Sequence, residues 1–318
     1  MSCHLSRYIR MVAGVMLLSY TAVSCTNDYF LDENNCWLYV PEIQKGSIPD
    51  FTAVFHGESG NHLITRKVSA PFDKNELMQN GILRFKLRPG PCTLTAFAQT
   101  GNMQMSEGLP LADSYISAPL VPQTEHAFGP CGPLRVLQCQ LMLYPIGHPD
   151  SQNQHTIDIN GGQLYTGTIV HEFRDLPAQV TRIDIRYTGL STRLGFNGLF
   201  GDESPDDYTL VSYAVGGQRA VTHSFQDMYL PSSGTRLDGA ESELAPLKLD
   251  VLFYAGEAVI GHFSDEISDP VDENGATVSG KVYLRPRHTL KFEYKGFTIT
   301  GISLVGWEGM HPGDITPM

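Results

Sequence analysis

An all-β fold in two halves is what this sequence predicts, and three observations predict it. Short runs rich in β-branched and aromatic residues recur from Cys36 onward, many alternating apolar and polar side chains with period two. Turn formers separate them: the 318 residues include 31 Gly and 20 Pro, which suits frequent turns and few long helices. With an N-terminal leader set aside, the remaining length fits two β domains or one large one.

The leader comes first. Arg7 and Arg10 are its charged side chains, and the run 11–23 (MVAGVMLLSYTAV) is apolar with little interruption. A membrane-spanning helix needs about 20 such residues, so this run reads as the core of an export signal. Its end is distinctive. Ala22, Val23 and Ser24 stand directly before Cys25, an arrangement that resembles the bacterial lipobox. Residues 1–24 are then the lipoprotein signal peptide and Cys25 the lipidation site, carrying palmitate-type chains into the cell outer membrane. Ordinary secretion and an uncleaved leader are the alternatives. Several acyl chains hold far better than one, at about 0.8 kcal/mol per buried methylene.

Charge excludes some functions. The formal net charge is −12, and losing Arg7 and Arg10 makes the mature chain more acidic still. No basic stripe offers affinity for phosphates, so no nucleic acid partner is expected. An anionic membrane surface repels such a chain, which leaves attachment to the lipid.

Six cysteines are present. Cys3 leaves with the signal and Cys25 takes the lipid. Cys36, Cys92, Cys131 and Cys139 remain, with two disulfides open to them in three connectivities. Buried free thiols are the alternative, and the pairing is unknown.

The elements follow in order. Residues 25–35 are polar and acidic and read as a tether or an irregular lead-in. CWLYV (36–40) and DFTAVFHG (50–57) are strands, HGESGN (56–61) is a turn, and HLITRKVSAPF (62–72) is the next strand. In GILRFKLRPGPCTLTAFAQTGN (81–102), alternation on both sides of Pro89-Gly90-Pro91 predicts a β-hairpin. Between Asn102 and Phe128 the apolar signal weakens to loops and an edge strand, and PLRVLQCQLMLYPIG (133–147) is a further strand. Pro145, Gly147 and Pro149 then interrupt, which divides the chain into a first domain at 36–148 and a second at 149–318. Strands are expected at 155–159, 181–190, 206–215, 247–256, 257–267, 281–296 and 297–309. TIVHEFRDLPAQV (168–180) is the helix candidate, since Ile169, Phe173 and Leu176 are spaced by four and three.

Motifs of chemistry are weak. No His or Cys pair has zinc spacing. The acidic loops GDESPDDY (201–208) and DPVDENGAT (269–277) fit solvated turns better than calcium loops. GESGN (57–61) lacks the final glycine of a nucleophile elbow, and no phosphate or dinucleotide fingerprint occurs. No catalytic residue, metal or cofactor is expected. Trp37 and Trp307 fall in strand patterns and read as core rather than as sugar platforms.

One resemblance spans the mature chain loosely. Cys36 opens the first strand soon after Cys25. LRPGPCTLTAFA (87–98) is similar to a strand–Pro-Gly–strand unit, with Cys92 and Phe97 where Tyr and Trp are usual. LPAQVTRIDI (176–185) resembles a second-domain opening and ITGISLVGWEG (299–309) a closing strand. On these residues the chain resembles the FimB-like family of fimbrillin-associated lipoproteins, the fimbrial anchor and minor subunits of Bacteroidetes. The resemblance implies two tandem transthyretin-like β-sandwich domains and a surface-exposed protein that is no enzyme. It implies other fimbrial subunits as partners in cell adhesion. A β-sandwich exposes edges to which a partner strand can add. A glycan-binding lipoprotein of a polysaccharide-uptake system is the alternative function.

Overall fold

The computed structural model describes residues 35–70, 78–79, 81–146, 148, 154–159, 163–216, 222–238, 243–267, 270–271, 276–277 and 280–305. Cys25, the signal, most of the tether and Trp307 lie outside the described residues. No described helix is long and apolar enough to cross a membrane.

The first elements are β1 (Cys36–Tyr39), α1 (Pro41–Lys45), β2 (Asp50–Gly57), β3 (His62–Ser69), β4 (Met78–Gln79), β5 (Ile82–Phe85) and β6 (Gly90–Ala98). Next come β7 (Gln104–Met105), β8 (Tyr115–Ser117), β9 (Ala127–Phe128), β10 (Arg135–Leu143), β11 (Gln154–Thr156) and β12 (Gln163–Leu164). Beyond them run β13 (Gly167–Arg174), β14 (Arg182–Thr188), β15 (Arg193–Gly195), β16 (Phe200–Gly201) and β17 (Tyr208–Ala214). The last are β18 (His223–Tyr229), β19 (Lys248–Ala255), β20 (Ala258–Glu266), β21 (Thr289–Lys295) and β22 (Thr298–Val305).

These strands form an all-β molecule of two sandwiches. In the first, the sheet β11-β1-β5-β4 packs on β12-β10-β6-β2-β3 around Leu38, Phe51, Phe55, Leu83, Phe85 and Leu94. In the second, β18-β13-β21-β22 packs on β20-β19-β14-β17-β9 around Phe173, Ile183, Ile185, Val251, Phe253 and Phe292. Inward and outward side chains alternate along β14 and β21, as burial of one sheet face demands.

A fifth sheet, β16-β15-β8-β7, lies beside the first sandwich. A third core gathers there, from Val54, Phe97, Ile116, Leu134, Leu194, Phe196, Phe200 and Leu230. Val54 and Phe97 point away from Phe55 and Ala96, so β2 and β6 are buried on both faces. A strand buried on both faces reads as a continuous apolar run, and DFTAVFHG comes close to one.

Three expectations change. First, 168–180 is no helix: β13 spans Gly167–Arg174 and pairs with β18 and β21. Ile169, His171 and Phe173 are fully buried at period two, and the spacing of four between Ile169 and Phe173 fits a strand as well as a helix. Second, β5 and β6 are no hairpin. β5 pairs with β1 in one sheet and β6 with β2 and β10 in the other. The Pro89-Gly90-Pro91 corner, with Gly90 at φ 135, carries the chain across the sandwich so that Phe85 and Leu94 face the same core. Third, the chain does not leave the first sandwich at 148/149. β11 pairs in parallel with β1, β12 pairs with β10, and Ile157 and Ile159 sit in the first core. β8 and β9, in turn, pair with β15 and β17. The prolines after β10 end a strand rather than a domain.

Two local devices fix the frame. Asp50, buried at the start of β2, accepts hydrogen bonds from the Thr100 amide (2.8 Å) and hydroxyl (2.7 Å) and from the Gly101 amide (3.2 Å). Gly189 sits at φ +90 with the Pro246 carbonyl oxygen close against where a Cβ would stand, so glycine is required there.

Candidate functional site

Three kinds of feature are candidates: thiols, polar clusters and strand edges. Among the described residues the thiols of Cys36, Cys92, Cys131 and Cys139 are free. Cys36 on β1 and Cys92 on β6 lie in the first core, with Cys139 on β10 packed against it, while Cys131 lies in the third core. Burial pushes the Cys36 and Cys131 thiols up to about 12, and Cys92 to about 11. A thiol so reluctant to ionise is a poor nucleophile and a poor metal ligand. The acidic loop at 201–208 is used internally. Asp202 accepts from the Thr192 amide and the Ser233 hydroxyl, both at 2.9 Å. Asp207 accepts from the amides of Glu203 and Ser204 and meets His126 Nδ1 at 3.0 Å. Among the described residues no three His, Cys, Asp or Glu side chains converge as metal ligands. Most of the second acidic loop, 269–277, falls outside the described residues.

Inside the second sandwich, His171 is fully buried. Its Nδ1 meets the Tyr294 hydroxyl at 2.9 Å and its Nε2 the Tyr187 hydroxyl at 2.5 Å. Phe173 stacks on Tyr294 at 4.2 Å and Tyr213 on Phe225 at 4.1 Å. Burial holds His171 down at about 3, so the imidazole is neutral and serves the core. Sequence spacing gave no sign of this cluster, because its members come from distant strands.

On the outer face of β14, β19 and β20 lies a shallow cup of about 320 Å³ lined by Arg186, Thr188, Lys248, Asp250, Ser264 and Asp265. The Arg186 guanidinium covers the Tyr208 ring at 3.8 Å, and that of Arg182 covers Tyr254 at 4.0 Å. A ring face covered by a guanidinium is not free to stack on a sugar. Trp37 is half-buried in β1.

The edges differ among themselves. β17 is covered by β9, β18 by a bridge from Cys131, and β22 by a bridge from Val271. β3 carries Arg66 and Lys67, and its ladder with β2 is interrupted by a bulge at Phe55/His56. β20 carries Asp265 and faces a bulge at Phe253/Tyr254. β4, β7, β11 and β16 are strands of two or three residues. β10 runs nine residues in unbroken register with β6, and among the described residues β12 pairs with Arg135 and Val136.

No family model matches this chain, and no curated protein matches it either. Solved structures do resemble it in chain course. A "putative adhesin" from Bacteroides ovatus is 12% identical, with 87% of this chain and 96% of that one covered at a TM-score of 0.49. Structures described as "putative polysaccharide binding proteins" from Bacteroides thetaiotaomicron give 12% identity, 86% and 97% coverage and a TM-score of 0.48. The fimbrial anchor protein Mfa2 from Porphyromonas gingivalis gives 9% identity, 86% and 97% coverage and a TM-score of 0.43. Likenesses this distant assign neither partner nor ligand.

Proposed function

We propose that this chain is an outer-membrane lipoprotein of a surface fimbria, an anchor, tip or minor subunit that acts in cell adhesion by protein–protein assembly. Residues 1–24 direct export, Cys25 takes the lipid, and 25–35 tether the two sandwiches to the membrane. Other fimbrial subunits are the partners.

One observation carries the proposal: a basic, apolar leader ending in AVSC stands in front of a chain built from β-sandwiches. Lipidation puts the protein on a surface without a spanning helix, and sandwiches present strand edges that a neighbour can extend. Buried His171 and the buried thiols are held in their uncharged forms, so they serve packing. Catalysis is not part of the proposed role.

Shearing fibres from cells that carry the natural operon tests this. The protein is expected in the fibre fraction, and its deletion should leave fibres shed, altered in length or missing a component. Absence from that fraction together with unchanged fibres in the deletion strain overturns the proposal.

A further inference from the structure

We infer that His56 is an acid-released latch, which fastens the segment 106–114 across the β2–β3 hairpin at neutral pH and lets it go in mild acid. The inference does not rest on the fimbrial reading.

The segment joins β7 to β8 and so belongs to the fifth sheet, whereas His56 lies on β2 of the first sandwich. Hydrogen bonds hold the two together. His56 Nε2 lies 3.2 Å from the Leu109 carbonyl oxygen and 3.2 Å from Ser114 Oγ. The Leu111 amide donates to the Gly60 carbonyl in the hairpin turn at 2.7 Å. From further along the chain, the Phe196 amide donates to the Ser114 carbonyl at 2.8 Å, and the Phe196 ring stands edge-on to the His56 ring at 5.8 Å. Phe196 also meets Phe97 of β6 at 5.1 Å in the third core. His56 thus sits where the first sandwich, the fifth sheet and the β15–β16 turn come together.

The bonds fix the state of the ring. A carbonyl oxygen only accepts, so Nε2 carries the proton and Nδ1 is bare. Ser114 agrees: its hydroxyl donates to the Pro110 carbonyl at 2.9 Å, which lets Oγ accept from Nε2. His56 is fully buried, and its Nδ1 meets no partner among the described residues. A second proton would go on Nδ1 and place a charge in a closed site, at a cost that only opening relieves.

The surrounding groups do not offset that cost. His62, opposite His56 on β3, stands edge-on at 5.8 Å and repels a charge on His56. Thr93, opposite on β6, and Phe196 are uncharged. Glu58, Glu107 and Asp113, the acidic side chains of the hairpin turn and the segment, are exposed to water. Burial holds the imidazole below its ordinary 6.5; the Leu109 carbonyl offsets part of this, and His62 adds to it.

Once the segment lifts, the ring reaches water and titrates near 6.5. A closed value below the open one means that the open form takes up the proton first. Closure is therefore full above about pH 6.5 and weakens as pH falls. At pH 5, opening gains up to about thirtyfold over pH 7.5. Acid then loosens a tie between the first sandwich and the fifth sheet while β2 keeps its ladders to β3 and β6.

Peptide-resolved hydrogen–deuterium exchange of the intact chain from pH 7.5 to 5, corrected for intrinsic rates, tests the latch. The segment 106–114 of the wild type should lose about five- to thirtyfold of its protection. His56→Gln keeps a donor for the Leu109 carbonyl and does not titrate, so its segment should stay level. Both proteins carry His171, so acid effects from the second core are common to the two. Level protection in the wild type, or an equal loss in the variant, overturns the latch. A second readout needs no variant and keeps the test decisive if His56→Gln does not fold. Nitrogen NMR of the histidine-labelled wild type at pH 7.5 should show His56 neutral with its proton on Nε2. A proton on Nδ1 alone is incompatible with the Leu109 bond, and an imidazolium leaves nothing to titrate, so either overturns the latch.

Discussion

His171 should make the second sandwich sensitive to mild acid, by an amount that follows from its burial. The imidazole is fully enclosed between Tyr187 and Tyr294 and is held at about 3 in the folded chain. In the unfolded chain it titrates near 6.5. A folded value below the unfolded one means that the unfolded state takes up the proton first. Stability is therefore full above about pH 6.5 and falls as pH drops toward 3, by about 1.4 kcal/mol per pH unit well inside that window. Between pH 7 and pH 5 the loss from this one group is about 2 kcal/mol, a sizeable share of a typical domain's 5–15 kcal/mol. His171→Gln keeps polar atoms beside both tyrosines and removes the titration. Urea midpoints of wild type and variant from pH 7.5 to 4.5 measure the difference directly, with carboxylate contributions common to both cancelling. The wild type should lose about 2 kcal/mol more than the variant by pH 5. Parallel curves would refute the reasoning and mean that the folded chain accommodates the imidazolium.

The other expectations concern separate parts of the molecule. Phe97→Ala, which empties a fully buried position in the third core, should cost about 3–5 kcal/mol in denaturant titration. Gly189→Ala should cost more than about 2 kcal/mol, because the new Cβ meets the Pro246 carbonyl and positive φ is strained for alanine. Asp50→Ala leaves the Thr100 and Gly101 amides without their acceptor and should lower stability by about 3 kcal/mol by the same measurement. A thiol reagent at pH 8 should leave Cys36 and Cys131 unmodified in the native protein and react on unfolding, since both are pushed up to about 12. Cys25→Ala should release the protein from membranes in fractionation or leave it unprocessed. A normally processed variant still on the membrane would end the lipid-anchor proposal.

The fold class was legible because half-buried strands write their own pattern. Ile183, Ile185 and Tyr187 alternate with Asp184 and Arg186, and β14 lies where that alternation places it. Partner choice was not legible. Nothing between Phe85 and Gly90 says whether the next strand returns alongside or crosses to the facing sheet, since both put Leu94 on the same core. β13 was obscured because a spacing of four is even, so Ile169 and Phe173 share a face in strand and helix alike. The pairing of β11 with β1 joins residues more than a hundred positions apart, which no local pattern encodes. Of the candidate site, the His171 cluster left no sign in the sequence, because His171, Tyr187 and Tyr294 come from strands far apart in the chain.

The placement of β1 has a mechanical consequence. β1 is not an edge strand: it lies between β5 and β11, laddered on both sides. Just ahead of it, the Asn35 amide donates to the Phe85 carbonyl at 3.0 Å, and the Leu87 amide donates to Asn35 Oδ1 at 2.8 Å. Under the proposed lipid anchor at Cys25, tension on the chain enters the fold at this latch. The load then runs along a strand gripped from both flanks, and hydrogen bonds on two ladders share it in shear. An edge strand under the same pull would peel one bond at a time.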